Sequence, residues 1–433
     1  MNNVGTESGS GGRPERMAGN SSYAVLRNRD LLLYLVGRFV AVVGQQMFAM
    51  AIGWELYERT GSALNLGLVG LTQMVPMFLL TLPAGHLADN FSRKRIIALM
   101  TLVVTVTNLA LTVISARRAP VFWTFVCLFV TGAARTFLAA AASSFLPHLV
   151  DRRDFSRAVT WNIGTFQLGS ILGPAAGGAL ISLTGHAASV YAFNALASLI
   201  FCLLISRVRK QHVVAIKERL SLKALMTGFS FVFTNRIILG IITLDMFAVL
   251  LGGATALLPI YARDILGVGP RGLGLLQAAL PLGAVACAFF LSHRRPLQKA
   301  GRSLLWAVTA FGVATVAFGF SRWFWISLAM LIICGAVDNV SVVVRHTLVQ
   351  MLTPDEKRGR VSAVNNLFIG TSNELGEFES GVVAQLFGPV IGNSISQGAI
   401  ISVVSGGVGT LVVVLAVALI WPEIRRYGRL DAV

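Results

Sequence analysis

Apolar runs of about twenty residues recur along the whole chain, each long enough to cross a bilayer as a helix. Short polar segments separate them. This pattern predicts twelve spans, near 31–57, 64–88, 95–116, 121–147, 157–183 and 187–206, then 237–262, 271–293, 302–321, 324–350, 360–387 and 396–421. Between the two sixes lies the longest charged stretch, SRVRKQHVVAIKERLSLKALMTGF. It predicts a cytoplasmic linker with an amphipathic helix (Leu220, Leu222, Leu225, Met226, Phe229) lying on the membrane. The expected organisation is therefore a disordered cytoplasmic N-terminus (1–22), a six-helix bundle (23–206), the linker (207–235), a second six-helix bundle (236–421) and a cytoplasmic tail (422–433).

The two sixes are related. A shift of 203 residues lays spans 4–5 on spans 10–11 without a gap. Gly132 then meets Gly335, Arg157 meets Arg360, Asn162 meets Asn365, Leu172-Gly173 meets Leu375-Gly376, and Gly178 meets Gly381. Matched polar and glycine positions in one register point to an internal repeat. Two halves related by an axis along the membrane normal are the architecture expected of a rocker-type carrier.

Composition agrees: of 433 residues 55% are hydrophobic and 13% charged, with a mean hydropathy of +0.73. A soluble chain would carry about a quarter charged residues. The net charge of +17 does not point to nucleic acid, because the basic residues sit in short loops. They favour the loops after even-numbered spans by about three to one, which places both termini in the cytoplasm. Cys127, Cys202, Cys287 and Cys334 all fall inside spans, without ligand spacing, and read as small core residues. The first twenty residues have no apolar core, so no cleavable signal peptide is expected.

Two local patterns carry more. Residues 169–178 read GSILGPAAGG inside span 5. Pro174 removes a backbone donor, while Gly169, Gly173, Gly177 and Gly178 permit a close helix partner and a bend. The string resembles the helix-5 antiporter signature of exporters in the major facilitator superfamily. Between spans 2 and 3 the chain reads GHLADNFSRKR. Gly85, Asp89, Arg93, Lys94 and Arg95 resemble that superfamily's loop 2–3 signature, a cytoplasmic gate, with departures at Asn90 and Ser92. Asp89 closes helix 2, where a cation is ordinarily preferred, so it is expected to face the start of helix 11. The segments LPIYARDILGVGPRGLG and VQMLTPDEKRGRVSAVNNLFIGTSNELGE are similar to the enterobactin-exporter type within the superfamily. The resemblance implies an all-α integral membrane protein of twelve helices in two pseudo-symmetric bundles.

Ionisable residues at bilayer depth are costly and default to functional candidates. Arg38, Arg135, Asp245, Asp338, Arg345, Glu374 and Glu377 are such residues. Arg135 resembles the arginine of the family's helix-4 signature, which the resemblance implicates in proton coupling, and its repeat partner is Asp338. Both are expected to face a central cavity, with Asp338 or Glu374 taking up the proton and Arg135 tuning its affinity; the alternative is a static buried pair. Asp338 and Arg345, seven residues apart, share a helix face and either satisfy each other or act separately. Asp245 is either a second cavity carboxylate or a partner for Arg38, and the pairing is favoured. Arg38, Gln45, Gln46, Asn373 and Arg345 are the candidate cargo contacts.

The chain lacks G-x-x-x-x-G-K-S/T, G-x-S-x-G, H-E-x-x-H and any paired Cys/His set, so neither an enzyme, a cofactor nor a metal is expected. The reading is a monomeric secondary transporter of the bacterial cytoplasmic membrane, exchanging protons for a small organic molecule such as a siderophore or drug. A nutrient symporter and a non-transporting sensor on the same fold are the alternatives.

Overall fold

The computed structural model describes residues 24–209, 222–293, 299–392, 394–426 and 428. Its elements, in chain order, are α1 (Arg29–Thr60), α2 (Ala63–Asn90), α3 (Arg93–Ala116), α4 (Val121–Phe145), α5 (Phe155–Thr184), α6 (Ala188–Ser206), α7 (Leu222–Thr234), α8 (Arg236–Leu251), α9 (Gly269–Ser292), α10 (Ala300–Phe320), α11 (Phe324–Leu352), α12 (Asp355–Phe387), α13 (Ile395–Ile420) and α14 (Pro422–Arg426). After α8 the chain continues as short 3-10, α and π turns to Ile265, completing span 7. The segment 1–22, the linker between 210 and 221 and the tail beyond 428 lie outside the described residues.

Local chemistry sets the ends. The Asn28 side chain accepts from the amides of Asp30 and Leu31, capping α1, and Gly61 closes it in the left-handed region. Asn235 caps α8 in the same way. Ser92, which replaces the expected loop glycine, starts α3 at φ −61°, and Phe91 stands at φ −116°. That loop needs no left-handed residue, so a serine fits.

Eleven helices, including the composite from Arg236 to Ile265, are long and apolar enough to span a membrane. The twelfth, α12, has the length at 33 residues, but carries Glu374, Glu377 and Glu379. It packs against α2, α8 and α13, so its acids turn toward protein rather than lipid. Large apolar side chains such as Leu99, Val106, Val113 and Trp306 are exposed on the flanks, as a lipid-facing surface requires.

The repeat is structural. The 203-residue shift carries the start of α4 onto the start of α11 and the end of α5 onto the end of α12. Packing repeats as well: α1 with α5 and α6 answers α8 with α12 and α13, and α2 with α4 answers α9 with α11. Gly173 lies against Gln46 and Val43 of α1, while its repeat partner Gly376 lies against Val249 and Leu250 at the end of α8. The halves then meet through two equivalent crossings, α5 with α9 and α2 with α12. Gly178 against Pro270 and Gly381 against Gly67 are the matched close points.

The helices alternate in direction, so one end of the bundle carries the basic loop at Arg93–Arg95 and the other the α1–α2 turn. At the latter end a single apolar core runs through both halves, joining Tyr57, Leu66 and Ile181 to Leu258, Tyr261 and Leu273. At the basic end the cores are separate. One contains Tyr34, Ile97, Phe145 and Ile205, all first-half residues; others contain Ile241, Leu304 and Leu348, or Ile238, Val361 and Val364, all second-half residues. The molecule is thus sealed at one end and parted at the basic end.

The linker helix α7 packs on α8 and α12 of the second half. Phe229 packs edge-on to Phe368 of α12 with ring centroids 5.8 Å apart, and Val232 is buried with Ile238 and Val361. Of the two described residues of the predicted apolar face, Met226 is exposed and Phe229 half-buried. The helix docks on the second half because its aromatic side chains find a protein surface there.

Candidate functional site

Between the halves, below the sealed end, lies a cavity of about 450 Å³. Gln46, Phe48 and Ile52 of α1, Gln73 of α2, Arg135 of α4 and Phe166, Gln167, Ser170 and Pro174 of α5 form its first-half wall. Thr255, Pro259, Gln277, Pro281, Glu374 and Glu377 form the second-half wall. Arg135 is the one guanidinium among the described lining residues, and its Nη1 donates to Gln73 Oε1 at 3.1 Å. Glu374 and Glu377, three residues apart on α12, share a face. Both carboxylates point at Gly70 of α2: a Cβ built there would stand 2.9 Å from Glu374 Oε2 and 3.1 Å from Glu377 Oε2. The missing side chain at Gly70 is what admits two carboxylates to the helix crossing. Arg135 and Glu374 also interact electrostatically across the cavity.

The repeat explains the layout. Pro174 and Glu377 are repeat partners, and both line the cavity. Gly169, Gly173 and Gly177 form one face of α5 against Val42, Gln46 and Met47 of α1. Pro174 and Gly178 approach Gly274 and Pro270 of α9. The helix runs unbroken through Pro174.

Several predicted site residues lie elsewhere. Asp338 does not line the cavity, although its repeat partner Arg135 does, and it has no ion pair among the described residues. Asp245 is paired with Arg345 rather than with Arg38. Both members are buried, on α8 and α11, so neither is a cavity group. That also answers the Asp338–Arg345 alternative, since the seven-residue spacing put both on one face but Arg345 turns to α8. Arg38 donates to Tyr34 Oη at 3.0 Å within α1. Gln45 lies one position off the cavity face that Gln46 occupies, and Asn373 is exposed and absent from the cavity lining, although it stands one turn before Glu377.

The loop 2–3 residues serve the first half. Arg93 bonds the Ser144 carbonyl at 3.2 Å and contacts His148, while Lys94 donates to the Val208 carbonyl at 2.7 Å. They tie the turn to the ends of α4 and α6. Asp89, expected to face the start of α12, is exposed and has no hydrogen bond or ion pair among the described residues. Arg95 is exposed and Gly85 half-buried.

Gln73, Gln167, Gln277 and Thr255 were not singled out from the sequence, although glutamine inside an apolar span is the same signal that marked Gln46. The sealed end was missed as well. Tyr57 Oη donates to Asp264, and the Arg263 guanidinium lies 5.5 Å from the centre of the Tyr57 ring and donates to its carbonyl at 3.3 Å. Gln385 Oε1 accepts from Ser62 Oγ at 3.1 Å and from the Ala63 amide at 3.0 Å, capping α2 from the other half.

The sequence profile of the Major Facilitator Superfamily matches residues 34–376. The chain belongs to this superfamily. It is a secondary transporter of that type and not an enzyme, it resides in a membrane, and its cargo is a small molecule. It is 24% identical over 396 residues to the enterobactin exporter EntS of Citrobacter koseri, covering 90% of this chain and 92% of that one. The EntS of Shigella boydii gives the same identity and coverage. Among solved structures, a bacterial homolog of the human lysosomal transporter Spinster, inward-facing and occupied, superposes with a TM-score of 0.73 at 14% identity, over 94% of this chain and 98% of that one. The nucleoside transporter NupG gives 0.71 at 14% identity, over 92% and 99%.

The Tyr57–Asp264 contact yields a prediction. Tyr57→Phe removes a hydrogen bond to a carboxylate, of the kind that contributes about 1.5–3 kcal/mol. The conformation open at the sealed end then gains population about tenfold or more. The measurement is the maleimide labelling rate, from that side, of a cysteine placed at the cavity residue Ala256 in a background without the four native cysteines. An unchanged rate removes the contact from the seal.

Proposed function

We propose that this transporter is a proton-coupled exporter that moves a small organic molecule of siderophore or drug size by alternating access. One observation carries the reading: Arg135, Glu374 and Glu377 line a single cavity at the seam between two pseudo-symmetric halves. A carboxylate in this position exchanges its proton with whichever side the cavity faces. Protonation removes a charge from the helix crossing at Gly70. That biases the relative stability of the two conformations, as coupling requires. Cargo is held by the glutamines 46, 73, 167 and 277 with Phe48 and Phe166, and a cavity of about 450 Å³ suits a drug-sized molecule.

The loop charges favour the basic end as cytoplasmic, with both termini there, in a bacterial inner membrane. The state described is then inward-facing. The glycine face of α5 and the EntS relatives favour export, and a siderophore leads among cargoes for the same reason. The protein acts as a monomer, since the cavity is complete within one chain. Asp338, Asp245 and Arg345 support the second bundle, and the loop at Asp89–Arg95 closes against the second half when the basic end shuts.

The test is efflux from proteoliposomes holding the purified protein, a fluorescent catechol siderophore and an imposed pH gradient. Gradient-dependent movement that collapses with a protonophore supports the reading. Movement that ignores the gradient refutes proton coupling, and uptake driven by co-directional protons refutes export.

A further inference from the structure

A second cavity, of about 440 Å³, opens on the outer flank of the second half at its basic end. Arg302, Leu305, Trp306 and Thr309 of α10 and Arg425 of α14 line it. It is separate from the central cavity and shares no residue with it.

Its setting is amphiphilic. Trp306 is 73% exposed, and Trp306, Val313 and Phe320 recur as one exposed apolar stripe down α10. Leu415 and Leu419 are exposed on the neighbouring α13. These side chains meet lipid tails. Arg302 stands one helical turn before Trp306, and Arg425 follows directly on α13, so each stripe is headed by a guanidinium at the level of the membrane interface. The Gly428 carbonyl accepts from the Ala300 amide at 3.1 Å, holding the chain after α14 against the start of α10.

The charges are not spent on protein. In the first half, Arg93 and Lys94 at this end bond backbone carbonyls. Arg302 and Arg425 have no carboxylate or carbonyl partner among the described residues, and Glu423 on α14 is engaged by Arg236 at 3.6 Å. Two guanidiniums on different helices, above apolar flanks and beside an interfacial tryptophan, match an anionic head group carried on acyl chains.

We propose that this cavity binds the phosphate-bearing head group of an anionic phospholipid, with its chains along Trp306, Val313 and Leu415. The lipid bridges α10 and α14 and fixes α14 to the second bundle.

Native mass spectrometry of the full chain in detergent tests this. Wild type is titrated with phosphatidylglycerol, with phosphatidylcholine, and with phosphatidylglycerol in the presence of millimolar inorganic phosphate. Phosphatidylglycerol adducts are expected to exceed phosphatidylcholine adducts and to survive inorganic phosphate. R302Q/R425Q is expected to lower them about tenfold or more. R302K/R425K retains most of them, and R322Q, at the other end of α10, leaves them unchanged; melting curves check that each variant is folded. Equal phosphatidylcholine binding, or undiminished phosphatidylglycerol adducts in the folded glutamine variant, overturns the proposal. Displacement of phosphatidylglycerol by inorganic phosphate alone also overturns it, by making the site one for a free anion.

Discussion

Glu374→Gln is expected to abolish the response of transport to a pH gradient while leaving cargo binding largely intact. The substitution keeps the shape and hydrogen-bonding capacity of the side chain but removes the group that gains and loses a proton. Coupling energies between two sites are typically about 1–3 kcal/mol, so gradient-driven efflux should fall by about 5–150-fold. Glu377 shares the face and points at the same Gly70, so Glu377→Gln should weaken coupling too. The double variant should fall less than the product of the two, because the carboxylates act on one crossing. Asp338→Asn is the discriminating control. Asp338 lies off the cavity lining, so gradient-driven efflux should persist. Full gradient response in Glu374→Gln, with loss in Asp338→Asn, would transfer the proton site to α11. The assay is the proteoliposome efflux described above, with cargo binding followed by tryptophan fluorescence.

The second large effect concerns the other buried charges. Asp245 is 8% exposed and Arg345 3% exposed, and they are paired across α8 and α11. Asp245→Asn leaves a buried guanidinium without its counter-charge, which is expected to destabilise the protein by about 3–5 kcal/mol. The melting temperature in detergent should drop accordingly, or the variant should fail to accumulate. The double variant Asp245→Leu, Arg345→Met removes both charges and keeps the volume, so most of the stability should return. If the pair is structural, efflux returns with it. Recovery of stability without efflux would falsify a purely structural role and return Asp245 to the list of cavity acids. Neither residue lines the cavity, so a cargo-binding defect is not expected from either variant.

How much of this was legible beforehand depends on the kind of interaction. The spans were readable within a few residues, because an apolar run of the right length has one favourable fate in lipid. Even α12, which carries three glutamates, was counted among the spans at 360–387. Glycine positions in the repeat carried through to packing: Gly173 and Gly376 approach equivalent helices, as do Gly178 and Gly381. Charged partners were not readable. Spacing on one helix fixes which side chains share a face, yet Arg345 chose Asp245, 100 positions away, over Asp338 on its own helix. Gln45 and Gln46 were equal candidates by composition, and a rotation of about 100° between neighbours decided that only Gln46 reaches the cavity.

The sequence by itself determined that this chain is a twelve-span membrane protein with an internal repeat, acids in its eleventh span and a close-packed glycine face in its fifth. Those properties follow from hydropathy and local sterics, which each segment carries alone. Only the tertiary structure decided that Arg135, Glu374 and Glu377 meet while Asp338 stands apart. It also decided that Tyr57 and Asp264 join the halves at one end. Each of these depends on which helix crosses which, and at what rotation. That is set by the packing of side chains from distant parts of the chain, and no local pattern records it.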